Sequence, residues 1–130
     1  ESAVTGASIT DDLIVEYAAN NHNISRLITL PYNVTISSGA VTVYGSTHRI
    51  NTEASAATDD LDTITANSTR DPDEWLTLYA NNSARTVVLK DGTGNLSLAG
   101  DFSLDNTEDR ITLAYDGTNW VEMFRSDNGA

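Results

Sequence analysis

The sequence predicts an all-β domain, an antiparallel β-sandwich or a jelly-roll-like fold. Three observations predict it. Short alternating apolar and polar runs recur at intervals of about ten residues, separated by Gly, Asn or Asp. Ser, Thr and Asn make up 41 of 130 residues, and Thr favours strands while Ser and Asn favour turns. Helix formers other than Leu and Ala are scarce.

Residues 1–8 read as an N-terminal arm or linker, and 9–130 as a single β domain. Strands are expected at 13–17, 24–30, 33–37, 40–44 and 48–52, with Ser38-Gly39 turning the chain between VTI and AVTV. Residues 52–60 (TEASAATDD) read as a short helix or a loop. A strand at 61–66 leads into a polar loop at 67–73 that contains Pro72, and a strand at 75–79 follows. Strands at 86–90 and 95–98 flank the turn Asp91-Gly92-Thr93-Gly94-Asn95. Strands at 101–104, 110–115 and 120–125 complete the chain, the last two joined by Asp116-Gly117-Thr118-Asn119. Gly and Asn supply the positive φ that such turns need.

Four segments recur in order at nearly one offset. LIVEYAAN (13–20) aligns with WLTLYANN (75–82), and RLITL (26–30) with RTVVL (85–89). NVTIS (33–37) aligns with NLSLA (95–99), and HRINT (48–52) with DRITL (109–113). Thr- and Leu-rich strands can be slid into partial agreement without common origin. Taken as a duplication, residues 13–53 and 75–122 form two similar units, each covering the other's apolar face.

Nineteen acidic residues face seven Lys and Arg, for a net charge of −12. A field of that sign repels phosphate backbones and anionic lipid, so neither nucleic acid nor membrane is an expected partner. No apolar run is long enough to span a bilayer and no signal-peptide pattern is present. The chain starts at Glu1, as a fragment or a processed product would. It contains no Cys, which removes disulfides and thiolate zinc sites from consideration.

The residues that could carry chemistry are poorly placed for it. His22 lies in a polar turn and His48 opens a strand, neither with a second His at ligand spacing, so both read as surface polar residues. No G-x-S-x-G elbow presents a serine. Most acids fall in turns (Asp59, Asp60, Asp71, Asp73, Asp91, Asp105, Asp109 and Asp116), where local backbone hydrogen bonds keep them ionised. Glu122 is the exception, mid-strand among apolar residues, and pairing with Arg110, Arg125 or a partner chain suits it better than catalysis. No catalytic residue and no cofactor are expected. Calcium is the best metal case, because DDLD (59–62), DPD (71–73) and DGTGN (91–95) offer oxygen ligands, but turn chemistry explains all three. Trp75 and Trp120 both sit inside alternating strands and are expected in the core.

The final hairpin carries an expectation about assembly. Strict alternation places Ile111, Leu113, Tyr115, Trp120, Glu122 and Phe124 on one face, and Thr112, Ala114, Val121 and Met123 on the other. The second face is too apolar for a wet surface. Ala114, Val121 and Met123 are therefore candidate residues of an oligomer interface.

LDTI (61–64), ARTVVLKDGTGNLSLAGDFSLDN (84–106) and ITLAYDGTNWVEMFRSDN (111–128) resemble structural proteins of tailed bacteriophages, of the marine type. The resemblance covers about half the chain and extends to tail-fibre, head-fibre and capsid-decoration proteins. It implies a β-rich, commonly trimeric protein on the virion surface. The partners it implies are copies of itself, other virion proteins and a host-surface glycan. No catalytic residue comes with it, and no fibre-shaft or collagen-like repeats precede it here. The alternative from another class is a carbohydrate-binding module of a secreted protein, with exposed aromatic rings stacking on sugars.

Overall fold

The computed structural model describes residues 32–129. The arm at 1–8, the strands at 13–17 and 24–30, the first two repeat segments and His22 lie outside the described residues. Within them the chain is all-β. It forms β1 (Tyr32–Thr35), β2 (Ala40–Val43), β3 (Thr47–Asn51), β4 (Thr58–Leu61), β5 (Thr63–Ala66), β6 (Trp75–Ala80), β7 (Thr86–Leu89), β8 (Leu96–Ser97), β9 (Phe102–Leu104), β10 (Arg110–Tyr115) and β11 (Trp120–Ser126). One 3-10 turn, Glu53–Ser55, interrupts the series, and no α-helix occurs among the described residues.

The strands form where side chains alternate between core and surface. In β6, Leu76, Leu78 and Ala80 are buried, and the residues between them face outward. Val41 and Val43 of β2, Ile64 of β5, Leu61 of β4 and Val87 and Leu89 of β7 fill the same core. Burying each such side chain contributes about 1.5–3 kcal/mol.

Three sheets share this core: β1-β3-β6-β10-β11-β8, β2-β5 and β4-β7-β9. The chain visits them in a repeating order. β3 lies in the large sheet, β4 in the three-stranded sheet and β5 in the two-stranded one. β6 then returns beside β3, and β7 comes to lie beside β4. The β3–β6, β4–β7 and β2–β5 pairs are consequently parallel. Parallel strands usually need a long crossover, often helical; here the strands of the other sheets serve as the crossover, as in the rungs of a solenoid. The winding ends in antiparallel additions: β9 on β7, β10 on β6, and β11 on β10.

This pairing is not a clear antiparallel sandwich or jelly roll. Among the described residues, five of the eight strand pairs are parallel, and the mixed sheets include a curled half-barrel. Turn signals locate where the chain reverses but not which strand it comes to lie beside. Ser38-Gly39 does turn the chain, yet β1 pairs with β3 and β2 with β5, and only the Ser37–Ala40 bridge joins the two sides of that turn. The repeat segments NVTIS and NLSLA fall on β1 and β8, and HRINT and DRITL on β3 and β10. β1 lies directly beside β3, whereas β11 separates β8 from β10.

The strand expected at 61–66 is two strands with a corner at Asp62. There the Asp62 and Thr63 N–H groups both donate to Gly39 O, at 2.7 and 3.1 Å. On the next rung Gly94 packs against the same corner; a Cβ there would collide with Asp62 O and Thr63 Oγ1. The segment 52–60 holds the 3-10 turn and all but the last residue of β4. His48 is not a surface residue. It points inward from β3, is fully buried, and its Nε2 accepts the Tyr44 and Gly45 N–H groups at 3.0 Å each. A buried ring that accepts the N–H groups of the adjoining turn in this way fits the core despite its polarity.

Candidate functional site

The outer face of the large sheet is the most unusual surface of the molecule. Strand register arranges it in rows. One row runs Trp75–Ala114–Val121 across β6, β10 and β11. The next runs Thr47–Thr77–Thr112–Phe124 from β3 to β11. A third sets Asn33, Arg49 and Tyr79 in line on β1, β3 and β6, with Arg110 reaching Tyr79 from β10.

The first two rows carry exposed apolar surface. Trp75 is 51 % exposed and Phe124 55 %, and their rings meet edge to face at 5.9 Å. Met123 is 48 % exposed. Between them Ala114 is nearly buried and Val121 half-buried, while Thr77 Oγ1 and Thr112 Oγ1 lie 2.9 Å apart. The structure thus brings Ala114 and Val121 into one row and leaves Met123 exposed on the same strand.

Two expectations about this face are corrected. Phe124 does not share the core side with Trp120. A bulge at Met123 shifts the register, so that Leu113 faces Glu122 but Thr112 faces Phe124. An extra residue in one strand turns every later side chain over. Trp75 is likewise not in the core. It opposes Ala114, one step from the inward Leu76–Leu113 pair, while Trp120 is 1 % exposed beneath Tyr115. Strand alternation gives two faces without saying which is inside, and the bulge has no signal in the sequence short of a broken alternation.

The third row is cationic. Arg49 and Arg110 lie over the Tyr79 ring at 5.4 and 4.0 Å from its centroid, within the range where a cation is attracted to the ring face. Arg110 also donates to Thr107 O and Asp109 O. No Asp or Glu occupies an outward strand position on this face from β1 to β11.

The other acids are engaged elsewhere. Glu122 accepts two hydrogen bonds from Arg125, both at 2.6 Å, and one from the Ala99 N–H at 2.8 Å. The Arg125 hydrogen bonds hold its carboxyl below the usual range, against the opposing effect of burial. Arg125 in turn donates to Gly100 O and Asp101 O, so the pair pins the turn after β8. Of the calcium candidates, Asp59 accepts the Glu53 N–H, Asp62 the Thr93 hydroxyl and Asp91 the Leu98 N–H. Among the described residues, the carboxylates that do converge are Asp105, Asp109 and Asp127, within 4.8 Å of one another. Asp109 already accepts N–H groups from Asp105, Asn106 and Asn128, which ties the turn before β10 to the end of β11.

A cleft of about 520 Å³ lies on another side, lined by Thr65, Arg70, Asn95, Tyr115 and Trp120 among others. Trp120 closes its floor without exposing a ring face. Arg70 is spoken for by Gly45 O at 2.9 Å and by Glu74. No family model matches this sequence, and no curated protein matches it.

Proposed function

We propose that the chain is a non-enzymatic structural module of a bacteriophage virion surface that assembles with copies of itself, as a trimer, and with other virion proteins. The observation that carries this reading is the outer face of the large sheet. Monomeric proteins rarely leave a contiguous apolar patch of more than roughly a few hundred Å² open to water, and here the touching rings of Trp75 and Phe124, with Met123 next to Phe124 in β11, are each about half exposed. Covering them would contribute about 1.5–3 kcal/mol per side chain. The likeness of 84–106 and 111–128 to phage structural proteins supplies the setting, and the wound parallel core suits a part that must be rigid. Whether the module sits on a tail fibre, as a receptor-binding part, or on the capsid as decoration is a matter of position on the particle. Antibody labelling of particles viewed by electron microscopy tests it, and a label absent from the particle would refute the virion setting.

The exposed Trp75 and Phe124 rings favour a second reading, a carbohydrate-binding module that stacks sugars on them. A glycan array with the purified protein separates the two, since that reading requires sugar binding by the isolated protein.

A further inference from the structure

We infer that the Arg49–Tyr79–Arg110 row receives carboxylates from a different surface of a second copy, so that the outer face makes head-to-tail contacts and not face-to-face ones. The inference rests on the self-assembly proposed above and specifies what covers the face.

The described cations are otherwise accounted for. Arg70 pairs with Glu74, Lys90 with Asp101 and Arg125 with Glu122, and Arg85 donates to Asn51 Oδ1. Arg49 and Arg110 alone among the described cations contact neither a carboxylate nor a side-chain amide; both lean on one tyrosine. They do so in a chain whose net charge is −12. Two such chains repel each other over most of their surfaces. The outward strand positions of the large sheet are the exception, because they hold these two guanidiniums and no carboxylate.

Charge then decides the geometry of the contact. An isologous contact puts the same patch on both subunits. Centred on this face, it would join two surfaces whose outward strand positions carry guanidiniums and no carboxylate, so that guanidiniums of both copies meet, which is strongly unfavourable. Any other surface of the same chain can supply carboxylates in abundance. A contact between two unlike patches satisfies the guanidiniums and covers Trp75 and Phe124 together. Such heterologous contacts close into rings or propagate; they do not stop at two.

Light scattering of the full chain across a concentration series tests this. The expected assembly has three or more copies of 14.0 kDa. The Arg49 side chain makes no hydrogen bond or ion pair among the described residues and touches only the Tyr79 ring, so Arg49→Glu should keep the fold and weaken assembly by about tenfold or more, as reversal of an interfacial charge does. Arg49→Lys should assemble nearly as the wild type, and Arg110→Gln should weaken assembly with its melting temperature reported alongside. An assembly that stops at a dimer overturns the inference. So does wild-type assembly by Arg49→Glu and Arg110→Gln while Trp75→Ser with Phe124→Ser dissociates; that result leaves the proposed self-assembly standing. A wild-type monomer at micromolar concentration removes both.

Discussion

The side chain of Asn95 hydrogen-bonds the backbone of Ile64 in both directions: Nδ2 donates to Ile64 O at 2.8 Å, and Ile64 N donates to Oδ1 at 2.9 Å. Ile64 lies mid-way along β5, whose other side pairs with β2. Asn95 thus takes the place of a third strand on the two-stranded sheet. An amide is the one uncharged side chain group that both donates and accepts as a peptide does.

Asn95→Ala should therefore cost about 2–4 kcal/mol, because it strands a backbone N–H and C=O that are shielded from water. Asn95→Asp should cost at least as much at neutral pH, since a carboxylate can accept from Ile64 N but cannot donate to Ile64 O. Urea unfolding monitored by circular dichroism gives both values. A loss below about 0.5 kcal/mol for Asn95→Ala, the level of an ordinary surface change, would mean water replaces the amide.

Glycines in the same turn should differ in tolerance. Gly92 and Gly94 both have positive φ, but a Cβ at Gly92 meets nothing, whereas one at Gly94 strikes the Asp62–Thr63 corner. Gly92→Ala should cost about 1 kcal/mol, the usual left-handed penalty. Gly94→Ala should cost clearly more, or prevent folding. Equal melting temperatures for the two variants would contradict the stacked corner.

Acid should weaken the clamp between β11 and the turn that follows β8. Arg125 depresses the Glu122 carboxyl in the folded state. Its stabilisation is complete above the unfolded value of about 4.3 and is lost as pH falls through the lower folded value. Asp101, lowered chiefly by Lys90, and Asp116, lowered by the Asn119 and Thr118 N–H groups, titrate in the same sense. Falling pH also relieves the repulsion of a −12 chain, which acts oppositely, so the comparison must be with Glu122→Gln. The stability difference between wild type and Glu122→Gln should be constant at neutral pH and shrink below about pH 4.3. A difference independent of pH down to 2 would dissociate Glu122 from the clamp.

The two tryptophans should report assembly separately. Trp120 is buried and Trp75 half exposed. Dilution to monomer should expose Trp75 to acrylamide, with quenching that disappears in Trp75→Phe. Trp75→Ser with Phe124→Ser should abolish assembly while shifting the melting temperature little, because neither ring supports the core. Identical quenching in concentrated and dilute samples would show that this face is never covered.

Much of the strand map was legible in the sequence, since alternation and turn residues act locally. β1 to β3 and β6 to β11 fall within a residue or two of the expected runs. Partnership was not legible. β3 finds β6, and Asn95 finds Ile64, through contacts far apart in the chain. Of the aligned repeat segments, those at 33–37 and 95–99 and at 48–52 and 109–113 lie on strands with different neighbours, and the first members of the other two pairs lie outside the described residues. At the candidate face, Ala114, Val121 and Met123 were readable from a second apolar side of the last hairpin. Trp75 and Phe124 were not, one because facing is set by the whole sheet and the other because a single unpaired residue reverses it. The Glu122–Arg125 pair was within reach, as an isolated acid in an apolar strand needs a cation nearby.

The bulge at Met123 also bears on what happens when many copies crowd together. β8 covers only Trp120 and Val121 of β11. A free, straight strand edge beyond them would invite another chain to add on and seed fibrils. Instead the strand bends at Met123, Glu122 takes up the Ala99 N–H, and Arg125 occupies the Gly100 and Asp101 carbonyls. The segment 99–101 is thereby held alongside β11 beyond the end of β8, so that it, and not an open strand edge, borders the sheet there. Bent and flanked in this way, the border offers an incoming strand no straight edge to extend, so closely packed copies do not knit into amyloid there.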